Sequence, residues 1–244
     1  LKRKGENMRK HNIFTAVLVG SVVLGMVASL VTTKPIVYAA IEQEELSDVS
    51  GEAFDKREVL KLCEEIKKLP VMNEFIGNES IGLNNTMSRN KTAKDLSKVT
   101  GKGVILVTTD LYKGVIESGH AAIVYSDSKV VEALADGVTL GKNNWSKTKK
   151  EYYACVPWDA SANDERKAAD YCYNMIGKDY NWNYFDVKTR KKFYCSHLVY
   201  ASYKDLFGID LNTDTFKTVA GNPIHPYELL TSSKTWVIAH YSYK

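Results

Sequence analysis

The stretch "HAAIVYSDSKVVEAL", His120 to Leu134, sets two short apolar runs on either side of Ser126-Asp127-Ser128. Runs of this length, rich in Val, Ile and Ala and broken by turn residues, bury their apolar side chains as a β-hairpin. A hairpin commits its neighbourhood to an antiparallel sheet, and the flanking sequence extends it. "GVILVTT" (103–109) reads as a buried strand, "EYYACVPW" (151–158) alternates as another, and "TWVIAHYSY" (235–243) is a final one. "SANDERKAADYCYNMIG" (161–177) is a helix with Ser161 or Asn163 as N-cap and Gly177 after its end. The segment "CSHLVYASYKDLF" carries apolar residues at helical spacing, and Pro226 opens a short helix "PYELL". Strands cluster and helices flank them, so the fold class is α+β with a largely antiparallel sheet.

The N-terminal forty residues stand apart. Lys2, Arg3, Lys4, Arg9 and Lys10 precede a stretch from Asn12 to Thr33 without charge, and Val37 and Ala39 supply the small-residue spacing of a cleavage site. This predicts a secretory signal peptide over 1–40, cut at Ala39–Ala40 or Ala40–Ile41. The alternative is a retained membrane anchor, since Ile13 to Val31 is long enough to span a bilayer. Residues 1–40 hold six Lys/Arg and one Asp/Glu, which leaves 27 basic and 28 acidic residues of the chain's 33 and 29. The basic balance therefore belongs to the export segment and gives no case for nucleic-acid binding. The expected location is secreted or envelope-associated, with membrane contact only through the signal if it stays uncut.

Residues 41–100 form a second region. Glu52 to Leu69 is expected to be an amphipathic helix stopped by Pro70, with Leu60, Cys63 and Ile66 on its inner face. Val71 to Gly101, rich in Asn, Ser, Thr and Lys, reads as loops and a short helix. The catalytic region is then 101–244.

Four cysteines, Cys63, Cys155, Cys172 and Cys195, show neither a CxxC pair nor metal-ligand spacing, so no metal or cofactor is expected. The first three read as small buried hydrophobes, with a Cys155–Cys172 disulfide left open. Cys195 falls in the first turn of its helix, where free N–H groups favour a thiolate. That helix end is worth roughly 0.3–1 kcal/mol, less than the about 1.4 kcal/mol of a tenfold change in ionisation. A reactive thiolate needs a cationic partner as well.

Among the five histidines, His11 lies in the leader, His225 enters a short helix and His240 belongs to the last strand. His197 is two residues past Cys195, about 200° round the helix, and faces a solvated or second-layer side. His120 remains, at the head of an apolar strand and preceded by Gly119, where backbone or substrate can approach closely. Glu132 sits in the otherwise apolar "KVVEALA", and a carboxylate there needs a partner. If Tyr125 faces Lys129 across the hairpin, His120 faces Leu134, and Glu132 is its diagonal neighbour on the same face. The expected constellation is Cys195 as nucleophile, His120 as proton shuttle, Glu132 as the residue that orients it, and the Cys195 N–H as an oxyanion donor.

"GHAAIV", an acidic residue twelve positions on, "GKDYNW" and "FYCSHLV" together resemble the circularly permuted branch of the NlpC-type papain-like hydrolases, the YiiX-like proteins. The resemblance covers roughly Gly101 to Tyr243 and implies a papain-like core with a Cys-bearing helix packed on an antiparallel sheet. It maps the motif cysteine, histidine and third polar residue onto Cys195, His120 and Glu132, and adds Tyr180 as a residue lining the substrate cleft. It departs from many relatives at Gly103-Val104 and at His197. By that resemblance the protein is a cysteine peptidase or amidase working through a thioester acyl-enzyme. The simplest substrate for an exported enzyme of this kind is a cell-wall (peptidoglycan) stem peptide. The other readings are an acyltransferase, or a lipid amidase or esterase acting on an acyl-lipid, like the related lecithin:retinol acyltransferase group, or a surface binding protein without turnover.

Overall fold

The hairpin forms as its sequence requires, and six further strands on either side of it build one sheet. The structure is a computed structural model; it describes residues 53–76, 79–82, 99, 101–110 and 119–242, all within the unit Glu45–Lys244. The expected signal peptide over 1–40, its cleavage site, and most of the polar segment before Gly101 lie outside the described residues. Among the described residues no helix is long and apolar enough to cross a membrane.

Along the chain the helices are α1 (Lys56–Ile66), α2 (Trp145–Thr148), α3 (Ala162–Tyr173), α4 (Cys195–Phe207) and α5 (Glu228–Thr231). The strands are β1 (Asn73–Ile76), β2 (Glu79–Gly82), β3 (Ile105–Thr108), β4 (His120–Ser126) and β5 (Lys129–Leu134). They continue with β6 (Gly137–Lys142), β7 (Glu151–Pro157), β8 (Asp179–Tyr180), β9 (Lys192–Phe193) and β10 (Thr235–Ser242). The sheet order is β2-β1-β10-β7-β3-β4-β5-β6, antiparallel except between β1 and β10, and β8 and β9 form a separate parallel pair. The class is α+β, as the sequence implies.

Alternation along the strands sorts the core into two layers. Ile105, Val107, Ala121, Ile123, Val131 and Ala133 pack with residues of α3 and α4. Leu106, Ala122, Val124, Val130 and Ala154 pack on the other side around Trp145 and Tyr152. The helix α3 starts where expected, because Ser161 and Asp164 close a reciprocal capping box. The helix α4 ends at Gly208 in the left-handed conformation. It is held to the sheet by the Tyr203 hydroxyl, which donates to the Gly103 carbonyl at 2.9 Å.

Several expectations need correction. The first helix is shorter than Glu52–Leu69: Asp55 caps it by accepting from the N–H groups of Arg57 and Glu58, and turns follow Ile66 before Pro70. Its inner face is Val59, Leu62 and Ile66, while Leu60 is 53% exposed and Cys63 sits at the margin. Two strands, β1 and β2, occupy part of the segment read as loops and a short helix. They pair with each other, and β1 pairs with β10, long-range support that local composition does not announce. The strand β6 and the turn of helix α2 were not anticipated either. In the hairpin Ile123 faces Val131, the register that sets His120 against Leu134, but a bulge at Tyr125 brings Ser126 rather than Tyr125 opposite Lys129. All four cysteines are free thiols, so no Cys155–Cys172 disulfide is present.

Replacing Tyr203 by Phe leaves the buried Gly103 carbonyl without its donor. Urea denaturation of Tyr203→Phe is expected to show a loss of about 1–2 kcal/mol; an unchanged midpoint would mean that this bond does not hold α4 to the sheet.

Candidate active site

The site is built where the start of β4 meets the start of α4. His120 opens its strand, so its ring stands at the rim of the sheet rather than in the middle of a face. Gly119 before it takes φ +89°, and a Cβ there would come within 2.5 Å of the Tyr227 ring and 2.8 Å of the Thr108 carbonyl oxygen. The glycine lets Tyr227 and the β3 backbone close against the histidine.

Glu132 lies on the neighbouring strand β5, two residues from the position opposite His120. Its Oε2 is 2.8 Å from His120 Nε2, with the imidazole 1% and the carboxylate 13% exposed. Strand β6 leaves room for this side chain through Gly141, where a Cβ would run into Glu132 Oε1. Trp145 from α2 stacks on the imidazole at 6.0 Å between ring centres, and the Lys149 ammonium sits 5.4 Å over the indole. Burial pushes the Lys149 amine below its ordinary value, against the pull of Glu132 and Asp110.

The third residue comes from the other layer. Cys195 is the first residue of α4, 1% exposed, after the N-cap Tyr194. No side chain caps this helix end, so its first N–H groups remain directed out of the helix start. The strand-like N-cap is pinned from both sides. The Tyr194 hydroxyl donates to the Tyr184 carbonyl at 3.2 Å and accepts from the Ile224 N–H at 3.0 Å, while Ser196 Oγ donates to the Ile224 carbonyl at 2.7 Å. Burial disfavours a charged imidazole at His120. Hydrogen bonds to Cys195 and Glu132, and the negative charge of both, outweigh it and raise His120 from 6.5 to about 9. The structure thus brings Cys195, His120 and Glu132 together. With Nε2 engaged by Glu132, the imidazole is left to exchange its proton with sulfur through Nδ1.

The other thiols are in different chemistry. Burial raises Cys172 to about 12 and raises Cys155 further, and burial is also the main influence raising Cys63. Tyr180 is buried beside Cys195, where burial and then the Cys195 charge and Tyr184 push its phenol far above the ordinary range. It carries Trp182 against its ring at 4.6 Å, and that tryptophan is 43% exposed.

The remaining histidines have other work. His197 is fully buried, not solvated: its Nε2 donates to the Val187 carbonyl at 2.9 Å, with Arg190 3.3 Å away. Burial and the Arg190 charge lower it to about 3. His240 pairs with Glu151 at 3.0 Å and stacks on Tyr153. His225 accepts from the Tyr227 N–H and is packed between Phe54 and Phe216. Trp145, Gly141 and Tyr227 were missed by sequence reasoning. Their positions follow from β6, α2 and α5 folding back over the hairpin, and neither periodicity nor a motif marks them.

A His–Glu pair on adjacent strands lies beside a cysteine at an uncapped helix start, with the histidine hairpin preceding the cysteine helix, the order the sequence resemblance implies. Residues 105–221 match the model of a family described as the permuted papain-like amidase enzymes, YaeF/YiiX, C92 family. Over this stretch the chain is similar to that family, and in class it is a cysteine peptidase or amidase. Among solved structures, that of the metalloprotein yiiX from Escherichia coli O157:H7 is 14% identical, covering 59% of this chain and 97% of that one with a TM-score of 0.41. Among curated proteins nothing matches. Among the described residues there is no group of three or more His, Cys, Asp or Glu that could hold a metal ion.

The raised value of His120 makes a stability contribution with a definite sign. It is fully present below the unfolded value near 6.5 and is lost as pH rises through about 9. In Gly141→Ala the methyl displaces the Glu132 carboxylate, and part of that contribution disappears. Denaturation at pH 6.5 and pH 9.5 should therefore show a smaller drop for Gly141→Ala than for the parent chain; equal drops would mean that Glu132 does not charge His120.

Proposed function

We propose that this protein is an exported amidase that hydrolyses amide bonds in cell-wall peptides through Cys195, His120 and Glu132. The supporting observation is the 2.8 Å bond from His120 to Glu132 beside a cysteine at an uncapped helix end. Export is the reading of the N-terminal forty residues. The cell-wall peptide is the substrate that an exported amidase of this family most simply meets.

In the proposed sequence the Cys195 sulfur attacks the amide carbonyl carbon, and the carbonyl oxygen becomes an oxyanion facing the Cys195 N–H. His120 gives its Nδ1 proton to the leaving nitrogen, the carbon–nitrogen bond breaks, and a thioester on Cys195 remains. A water molecule then loses its proton to Nδ1 as its oxygen attacks the thioester carbon. The carbon–sulfur bond breaks, the acid leaves and the thiolate–imidazolium pair is restored. Glu132 keeps the ring in one orientation and favours its charged form throughout. Tyr180, held as a phenol by its burial, lines the cleft beside the nucleophile and can donate to the substrate.

Iodoacetamide at pH 6 is expected to label Cys195 far faster than Cys63, Cys155 or Cys172, as followed by peptide mass spectrometry; equal rates would sink the assignment of the nucleophile. His120→Ala should lose at least about 10²–10⁴-fold in turnover while its circular dichroism stays that of the parent. In the parent chain kcat/KM should fall as pH rises above about 9, where His120 gives up the proton that the leaving group needs. Mass spectrometry after mixing with muropeptides and, separately, with phospholipid vesicles identifies the bond cut. Products from the lipid alone would replace the peptide reading with an acyl-lipid one.

A further inference from the structure

The strand β7 runs from the candidate active site to the far end of the sheet. Tyr152 at its start pairs with Thr108, which pairs with His120, and six residues later the chain reaches Trp158. At ~3.3 Å per residue that is about 20 Å. There Trp158 and Trp236 lie with ring centres 3.8 Å apart, 52% and 45% exposed, next to a Met72 that is 45% exposed. They flank a groove of 580 Å³ whose walls include Leu69, Val71, Leu230 and Val237. Nothing in the chemistry proposed above uses it.

Four of the polar side chains that line this groove are already engaged within the protein. Trp158 Nε1 donates to the Thr235 carbonyl at 3.0 Å. Thr235 Oγ1 donates to the Ser232 carbonyl at 3.0 Å and Thr231 Oγ1 to the Tyr227 carbonyl at 3.3 Å, while Ser232 Oγ accepts from the Lys234 N–H at 3.4 Å. A sugar ring would need such groups for itself, whereas an apolar ligand needs none of them. Exposed lysines adjoin the lining: Lys68 precedes Leu69 and Lys234 stands between Ser233 and Thr235, while the exposed Asp159 follows Trp158. Exposed indoles over an apolar groove with a cationic margin match the boundary of an anionic bilayer, where indole rings settle and lysines meet headgroups. The uncharged run from Asn12 to Thr33 brings the same chain to a membrane during or after export.

We propose that the Trp158–Trp236 face docks on the surface of an anionic lipid bilayer, holding the Cys195 end of the sheet about 20 Å away from the lipid at ~3.3 Å per strand residue. Docked so, the cleft opens toward polymer beyond the membrane rather than toward the lipid itself.

The test uses the full chain with vesicles of brominated phosphatidylglycerol or brominated phosphatidylcholine, reading tryptophan fluorescence. Quenching on the anionic vesicles is expected in the parent and is lost in Trp158→Phe/Trp236→Phe, where only Trp145 and Trp182 still emit. Lys68→Glu/Lys234→Glu should need about tenfold more anionic lipid, or more, for the same quenching. Unquenched parent protein that nevertheless sediments with the vesicles would overturn the proposal, as would equal fractional quenching in the double Phe variant or equal response to both lipids. Retention on insoluble peptidoglycan that is lost in Trp158→Ala/Trp236→Ala, without lipid quenching, would assign the groove to the wall polymer instead. Hydrolysis of a soluble peptide amide by the double Phe variant should match the parent, so a failed docking test leaves the amidase reading standing and a failed amidase assay leaves this one.

Discussion

A carboxylate and an imidazole, both nearly out of reach of water, hold each other across two strands, and the rest of the candidate site is arranged around that bond. Glu132 in an apolar strand costs free energy unless it is paired, and His120 Nε2 at 2.8 Å pairs it. The pairing depends on hairpin register. A slip of one residue would send Glu132 to the opposite face and strand both groups. The turn at Asp127-Ser128 and the bulge at Tyr125 fix that register at one end. At the other end β6 lies over β5 with Gly141 in the one place where a side chain would push the carboxylate away.

The second constraint is the placement of the Cys195 helix start. A helix whose N-cap offers no capping side chain is less stable by about 1 kcal/mol than one capped by Ser or Asp. Tertiary bonds stand in for the cap here. Tyr194 and Ser196 tie the start to the Ile224 backbone, and Tyr203 ties the third turn to Gly103. The helix start thus keeps N–H groups without a side-chain cap next to Cys195, where the proposed reaction places its acyl oxygen.

Much of this was legible in the sequence, for physical reasons that differ by element. The hairpin and α3 are written locally, in turn residues and a capping box, and local signals survive folding. The diagonal relation of His120 and Glu132 follows from strand period once the hairpin register is set. Other parts depend on distant partners. The strand β1 pairs with β10, and β2 with β1, through backbone bonds that polar composition does not encode. His197 looked like a polar residue on an outer face, yet the loop 187–190 covers it and supplies the Val187 carbonyl. Trp145 shelters the imidazole only because a turn of helix after β6 folds back. Leu60, apolar and at helical spacing, is exposed because the inner stripe of α1 passes through Val59 and Leu62 instead.

The account stands on a histidine kept charged by a thiol on one side and a carboxylate on the other. Nitrogen-15 chemical shifts of His120, followed from pH 5 to pH 10 in the parent and in Cys195→Ala, read that state directly. The expected result is a parent imidazole that stays protonated to about pH 9 and titrates lower once the sulfur is gone. A parent His120 that titrates near its ordinary 6.5, or one indifferent to the loss of Cys195, would contradict it.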